Sequence, residues 1–158
     1  MRRRDREIND LSEIEKIIQT ADCCRIALFD NEFPYIVTMN FGYENSGSGI
    51  IYFHCANKGK KIELIRSNPN VCFELDTDHN LISSDIACDN GMTYKSIVGY
   101  GVMKIVTDDE ERRTGLNSIM KHYTGRNNFN FDPNTLSVTT VLRLDIKEMT
   151  GKCKKIFL

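Results

Sequence analysis

The strand-like runs of this sequence follow one another too closely for a parallel sheet, and that spacing constrains the fold more than any other feature. Runs rich in β-branched and aromatic residues occupy residues 25–29, 34–43, 50–55, 71–75, 93–106 and 137–148. Asp30 and Asn31 read as a tight turn between the first two, and the stretch ENSGSG at 44–49 as a flexible hairpin loop. Only short helical segments separate the runs. The order is helix, three strands, helix, two strands, helix, strand. It predicts a mainly β (α+β) fold, a six-stranded antiparallel β-barrel with short flanking helices.

The helices announce themselves by spacing. Ile14, Ile17 and Ile18 fall on one face of a helix over about 11–20, with Asp10 as one N-cap and a Ser12/Glu15 capping box as the competing start. A second helix follows Asn57 as N-cap, includes residues 60–65 and stops at Asn68–Pro69, since the residue before proline avoids helical dihedrals. Asp108 with Glu111 opens a third, which runs to about Tyr123 and ends near Gly125. Residues 77–92 are polar and irregular and read as a lid or a dimer contact, and Pro133 sits in a loop. Gly99 and Gly101 in the long fifth strand suggest a bulge or barrel corner.

A chain of 158 residues suits a single domain over 1–158, with 1–20 as an N-terminal arm and helix. A net charge of −1 argues against nucleic acid as the main partner. The cluster Arg2–Arg3–Arg4 reads as a solvated tail. No apolar run reaches the length of a membrane span, and acids rather than an apolar stretch follow the leading arginines, so the expected location is the cytoplasm, with no membrane partner. The six cysteines (Cys23, Cys24, Cys55, Cys72, Cys88, Cys153) are scattered, form no C-x-x-C pair and read as buried free thiols. No metal site is expected: neither His79 nor His122 has a Cys or carboxylate at ligand spacing.

The most informative stretch is 51–62, IYFHCANKGKKI, in which a buried strand runs into a glycine and three lysines at a helix start. Free N–H groups and the dipole at a helix N-terminus favour an anion, and lysines add point charge suited to phosphate. The same pattern also describes a solvated basic turn. His54 ends the strand just before it, as a structural histidine or as part of a site. There is no G-x-S-x-G elbow or Walker sequence, and Gly99-Tyr-Gly101 lies within a strand, where it cannot act as a dinucleotide-binding turn.

Five segments in order now resemble one family. They are MRRRDREI at 1–8, PYIVTMNF at 34–41, YFHCANKGKKI at 52–62, YKSIVGYG at 94–101 and Thr150-Gly-Lys152. Together they resemble the nitroimidazole-resistance (Nim) proteins, relatives of pyridoxamine 5′-phosphate oxidase. The resemblance implies a split barrel that dimerises, with two flavins, FMN or alternatively FAD, between the subunits. It assigns the flavin phosphate to Lys58, Lys60 and Lys61, and the isoalloxazine ring to Val37, Thr38, Met39 and Asn40. Further polar contacts fall to Tyr94 and Ser96, and His54 stands close to flavin or substrate as the catalytic residue. Two departures stand out. Gly59-Lys60 replaces the arginine–lysine pair of pyridoxamine 5′-phosphate oxidase, whose arginine-rich C-terminal part has no counterpart, so vitamin B6 oxidation is not the expected reaction. Thr38 stands where many Nim-like sequences have proline.

The function expected on this resemblance is flavin-dependent reduction of small nitroaromatic acceptors by a homodimer. The alternatives are a haem-binding or haem-degrading split barrel, in which His54 would face iron, and a non-catalytic flavin carrier or sensor.

Overall fold

A computed structural model describes residues 3–154. Met1 and Arg2, and with them the start of the N-terminal arginine cluster and of the first family-like segment, lie outside the described residues. The chain forms β1 (Glu7–Ile8), α1 (Leu11–Thr20), β2 (Cys24–Leu28), β3 (Tyr35–Met39), β4 (Phe41–Glu44), β5 (Ile50–Ala56), α2 (Lys60–Ser67), β6 (Asn70–Ile82), β7 (Gly91–Val106), α3 (Asp109–Thr124), α4 (Pro133–Val138) and β8 (Thr139–Lys154). All pairings are antiparallel, in the order β3-β2-β6-β7-β8-β5-β4, with β1 on β8. β3 and β4 stand at opposite ends of that path, yet Asn40 alone separates them in sequence. The sheet must therefore curl on itself, and it stays open where β3 and β4 do not pair: a split barrel.

The strand count is eight where the sequence predicts six. One extra strand is the two-residue β1, too short to show a period. The other comes from the predicted strand 34–43, which breaks at Asn40 because its halves pair with different partners, β2 and β5. Residues 77–92 are irregular only in part, at the register shift between Thr77 and Asn80 and in the loop after Ile82. β6 continues to Ile82 and β7 begins at Gly91, so most of this segment is a polar hairpin, whose loop Asn90 ties through Ser84 and Ile86. The Pro133 loop holds α4, capped by Asp132, with Pro133 in the first turn, where its missing N–H costs nothing.

α1 is capped by Asp10, whose carboxylate accepts from the Ser12 N–H at 2.8 Å, so no Ser12/Glu15 box forms. It lays Ile14, Ile17 and Ile18 on the barrel core with Phe41, Phe53, Phe73, Leu75 and Ile97. Each such side chain contributes about 1.5–3 kcal/mol on full burial. A smaller core of Tyr52, Val106, Leu116, Ile119, Leu136 and Val141 lies under α3. The expected irregularity in β7 falls between Tyr100 and Gly101, where the register on β8 slips. A Cβ on Gly99 would lie 2.4 Å from the Phe73 ring, which explains why glycine stands there.

All six cysteines are free thiols, but only Cys24 is buried; Cys88 is exposed and the others are partly covered. Burial pushes the Cys24 thiol far above its usual pKa, so it is inert. Among the described residues no helix is long and apolar enough to cross a membrane, and no three metal-ligating side chains converge.

Candidate functional site

The strand β5 ends in the lysine turn. Gly59, not Asn57, occupies the N-cap of α2, with φ 122° and ψ 169°, a conformation that L side chains rarely adopt. No side chain caps α2, so its first N–H groups are open to an anion. A Cβ at Gly59 would meet nothing within 4 Å, so the space in front of the helix is open as well.

The three lysines differ. Lys58 is exposed. Lys60 is ion-paired to Asp30 at 2.5 Å and lies over the Tyr35 ring, 4.9 Å from its centroid. The hydrogen bond to Asp30 raises the Lys60 pKa. Lys61 is partly buried, and its ammonium donates to the Met39 Sδ at 3.5 Å. Among the described residues neither Lys58 nor Lys61 has a carboxylate partner.

The structure therefore brings the lysine turn to the end of β3. His54 is exposed on β5, and partial burial of its ring, assisted by the Lys61 charge, lowers its pKa below the ordinary histidine value. The neutral imidazole therefore predominates at neutral pH. On β3 the side chains alternate: Val37 and Met39 turn to the core, while Thr38 and the exposed Ile36 face outward. The predicted ring-contacting run thus offers outward only Thr38, with exposed Asn40 at the corner. That corner is pinned from α3. The Tyr123 hydroxyl accepts from the Phe41 N–H at 3.2 Å and donates to the Asp22 carbonyl at 2.8 Å.

Tyr94 and Ser96 lie elsewhere. Thr38 stands in a cross-strand row with Arg25, Glu74 and Val98, three strand spacings or about 14 Å from β7. His54 is in register with Val141 and Val106, and Ser96 is ten residues earlier on β7, roughly 33 Å of strand. Within one protomer these two residues do not join the lysine turn. Tyr94 instead meets Lys152, whose ammonium is 5.6 Å from its ring centroid. Hydrogen bonds from Lys152 and then Arg6 lower the tyrosine pKa against the opposing effect of burial.

Several residues escaped the sequence reading. Asp30 was legible only as a turn residue. Arg25 bridges Glu74 at 2.9 Å and Asp76 at 2.6 Å, acids far away in the chain. An open cleft of about 750 Å³ lies beside the β2–β3 hairpin, lined by Phe29, Asp30, Phe33, Val71, Tyr100 and Lys147 among others. None of the ten residues singled out in the sequence lines it. Phe29 and Phe33, aromatic residues flanking the Asp30–Asn31 turn and exposed in the fold, are the kind of signal that could have found it.

Comparison with known proteins gives these features a context. The pyridoxamine 5′-phosphate oxidase family is matched over residues 10–153. A structure from Bacteroides thetaiotaomicron, provisionally assigned as a 5-nitroimidazole antibiotic resistance protein, is 36% identical over 93% of this chain and 86% of its own, with a TM-score of 0.82. An FAD- and haem-binding protein from Mycobacterium smegmatis shares the fold (TM-score 0.80) at 13% identity, covering 96% of this chain and 75% of its own. An FAD-binding protein from Mesorhizobium loti does so at 22% identity and TM-score 0.65, covering 95% and 98%. No curated protein matches the sequence significantly.

Proposed function

Because the chain belongs to the pyridoxamine 5′-phosphate oxidase family, we propose that it is a flavin-dependent oxidoreductase reducing small nitroaromatic acceptors, with flavin held between the subunits of a homodimer. The observation that carries this reading is the contact of Lys61 with Met39 beside His54, which unites the 34–41 and 52–62 segments. The residues fit a flavin phosphate: an uncapped helix start, open space before Gly59 and two lysines free of carboxylates. Lys61 and Lys58 would bind the phosphate with the first N–H groups of α2, and Thr38 and Asn40 would line the ring. When bound, flavin supplies the redox chemistry, as FMN or FAD.

His54 orients the acceptor and, when protonated, donates a proton to the reduced nitro group. Its lowered pKa leaves few molecules protonated at pH 7 but makes the protonated imidazole a better acid. The Bacteroides relative supports the nitroimidazole class of acceptor.

The separation of Tyr94 and Ser96 from the lysine turn supports a two-subunit site. In an isologous dimer these residues of one protomer can reach the turn of the other. The outer sheet face also suits such an interface. Ile36, Ala27, Cys72 and Tyr100 form one cross-strand row, with Ile36 62% and Tyr100 52% exposed.

The absorption spectrum of the purified protein, followed by turnover of a 5-nitroimidazole with a chemical reductant, tests the reading. Flavin bands and nitro reduction are expected. A Soret band without flavin would replace this reading with the haem one, in which the uncharged His54 is ready to ligate iron.

A further inference from the structure

We infer that Asp30 sets the choice of flavin at this site: by holding Lys60, it disfavours a terminal, doubly charged phosphate relative to a diphosphate bridge. The inference rests on the flavin reading above and goes beyond it to the choice between FMN and FAD.

Asp30 lies in the β2–β3 turn, and its carboxylate meets Lys60, the first residue of α2, at 2.5 Å. Among the described residues Lys60 is its one ionic partner. The turn does not depend on that carboxylate, because it is closed by the backbone bond from the Phe33 N–H to the Asp30 carbonyl. Lys60 is also drawn to the hairpin by the Tyr35 ring. The lysine that the chain places at the helix start is thus already neutralised by an internal carboxylate.

A ligand phosphate at the uncapped helix start meets two consequences. It recruits Lys60 only by separating it from Asp30, and it brings its own charge toward the Asp30 carboxylate. A terminal phosphate monoester carries about −1.5 to −2 at pH 7, whereas each phosphate of a diphosphate diester carries a single charge. Repulsion scales with that charge, so Asp30 works harder against FMN than against FAD. Lys58 and Lys61, which have no carboxylate partner among the described residues, serve both ligands.

The test is Asp30→Asn, which keeps the side-chain shape and removes the charge, titrated with FMN and FAD by flavin fluorescence. FMN is expected to bind about tenfold tighter than to the wild type and FAD about threefold tighter, a shift of preference toward FMN. Lys60→Gln in the same background should abolish most of the gain, because Asp30 acts through Lys60. Asp30→Ser serves as a second variant should the asparagine perturb the turn. Weaker FMN binding by both variants, or an unmoved FMN-to-FAD ratio, would overturn the inference while leaving the proposed function standing. Wild-type protein that takes neither flavin would bring down both.

Discussion

Replacing Lys61 by alanine should cost far more flavin affinity than replacing Lys60. The two residues are adjacent, and charge pattern alone does not rank them. Their surroundings do. Lys61 is partly buried and, among the described residues, its hydrogen-bond partner is the Met39 sulfur, a weak acceptor, so its charge is uncommitted. A hydrogen bond to a charged group contributes about 1.5–3 kcal/mol, so Lys61→Ala should weaken flavin binding roughly 10- to 150-fold. Lys60 is half-exposed and already paired with Asp30, so its loss should change affinity by less than about fivefold. Flavin fluorescence titrations of the two variants, at low and at high salt, give the comparison directly. Added salt should weaken binding to the wild type more than to Lys61→Ala, because the variant has lost a charge contact. Equal losses in the two variants, or a larger loss in Lys60→Ala, would refute the ranking and the assignment of free charge behind it.

Three further outcomes follow from the geometry. Burial and then the Lys61 charge hold the His54 pKa below its ordinary value, so its acid form grows as pH falls from neutrality; nitro reduction should rise on acidification, and that rise should be lost in His54→Gln, with flavin affinity within a few-fold. A rate that rises equally in the variant would remove His54 from the chemistry. Gly42→Ala places a Cβ 2.3 Å from the backbone of Ser118 and Ile119, and helix α3 cannot yield there without leaving β4. Thermal melting should show a loss of about 3 kcal/mol or more, and a melting temperature near that of the wild type would contradict the packing described. Lysine at Ile36 and Tyr100 together should give a monomer by light scattering that has lost its flavin, whereas a persistent dimer would move the interface to another face.

Much of this architecture was legible because local signals and tertiary demands agree. The period of Ile14, Ile17 and Ile18, the Asp108 cap and the β-branched runs each name the element that forms. The breaks at Asn40 and Gly59 were not legible for a common reason: neither depends on its own residue type alone. Asn40 separates two strands because β2 and β5 claim the two halves, and that competition is visible only in three dimensions. Gly59 rather than Asn57 is the cap because the chain enters α2 with a positive φ that glycine adopts without strain. At the site, the sequence carried the lysines and His54 but not their ranking. Asp30 reaches Lys60 from thirty residues away, and only the folded hairpin reveals which lysine is free.

The position of β8 bears on how this protein is made. It pairs with β1, β5 and β7, so it sits inside the sheet, yet it follows every other strand of the described residues. Vectorial synthesis therefore delivers β4–β5 and β2–β3–β6–β7 to the ribosome exit as two incomplete sheets, each with an unpaired edge where β8 belongs. Pairings of such long sequence separation form slowly, and exposed edges of this kind invite association with other nascent chains. The sheet can close only after Lys154 has emerged. A ribosome stalled before residue 139 should hold a chain that proteases cut and chaperones bind, and release past 154 should end both.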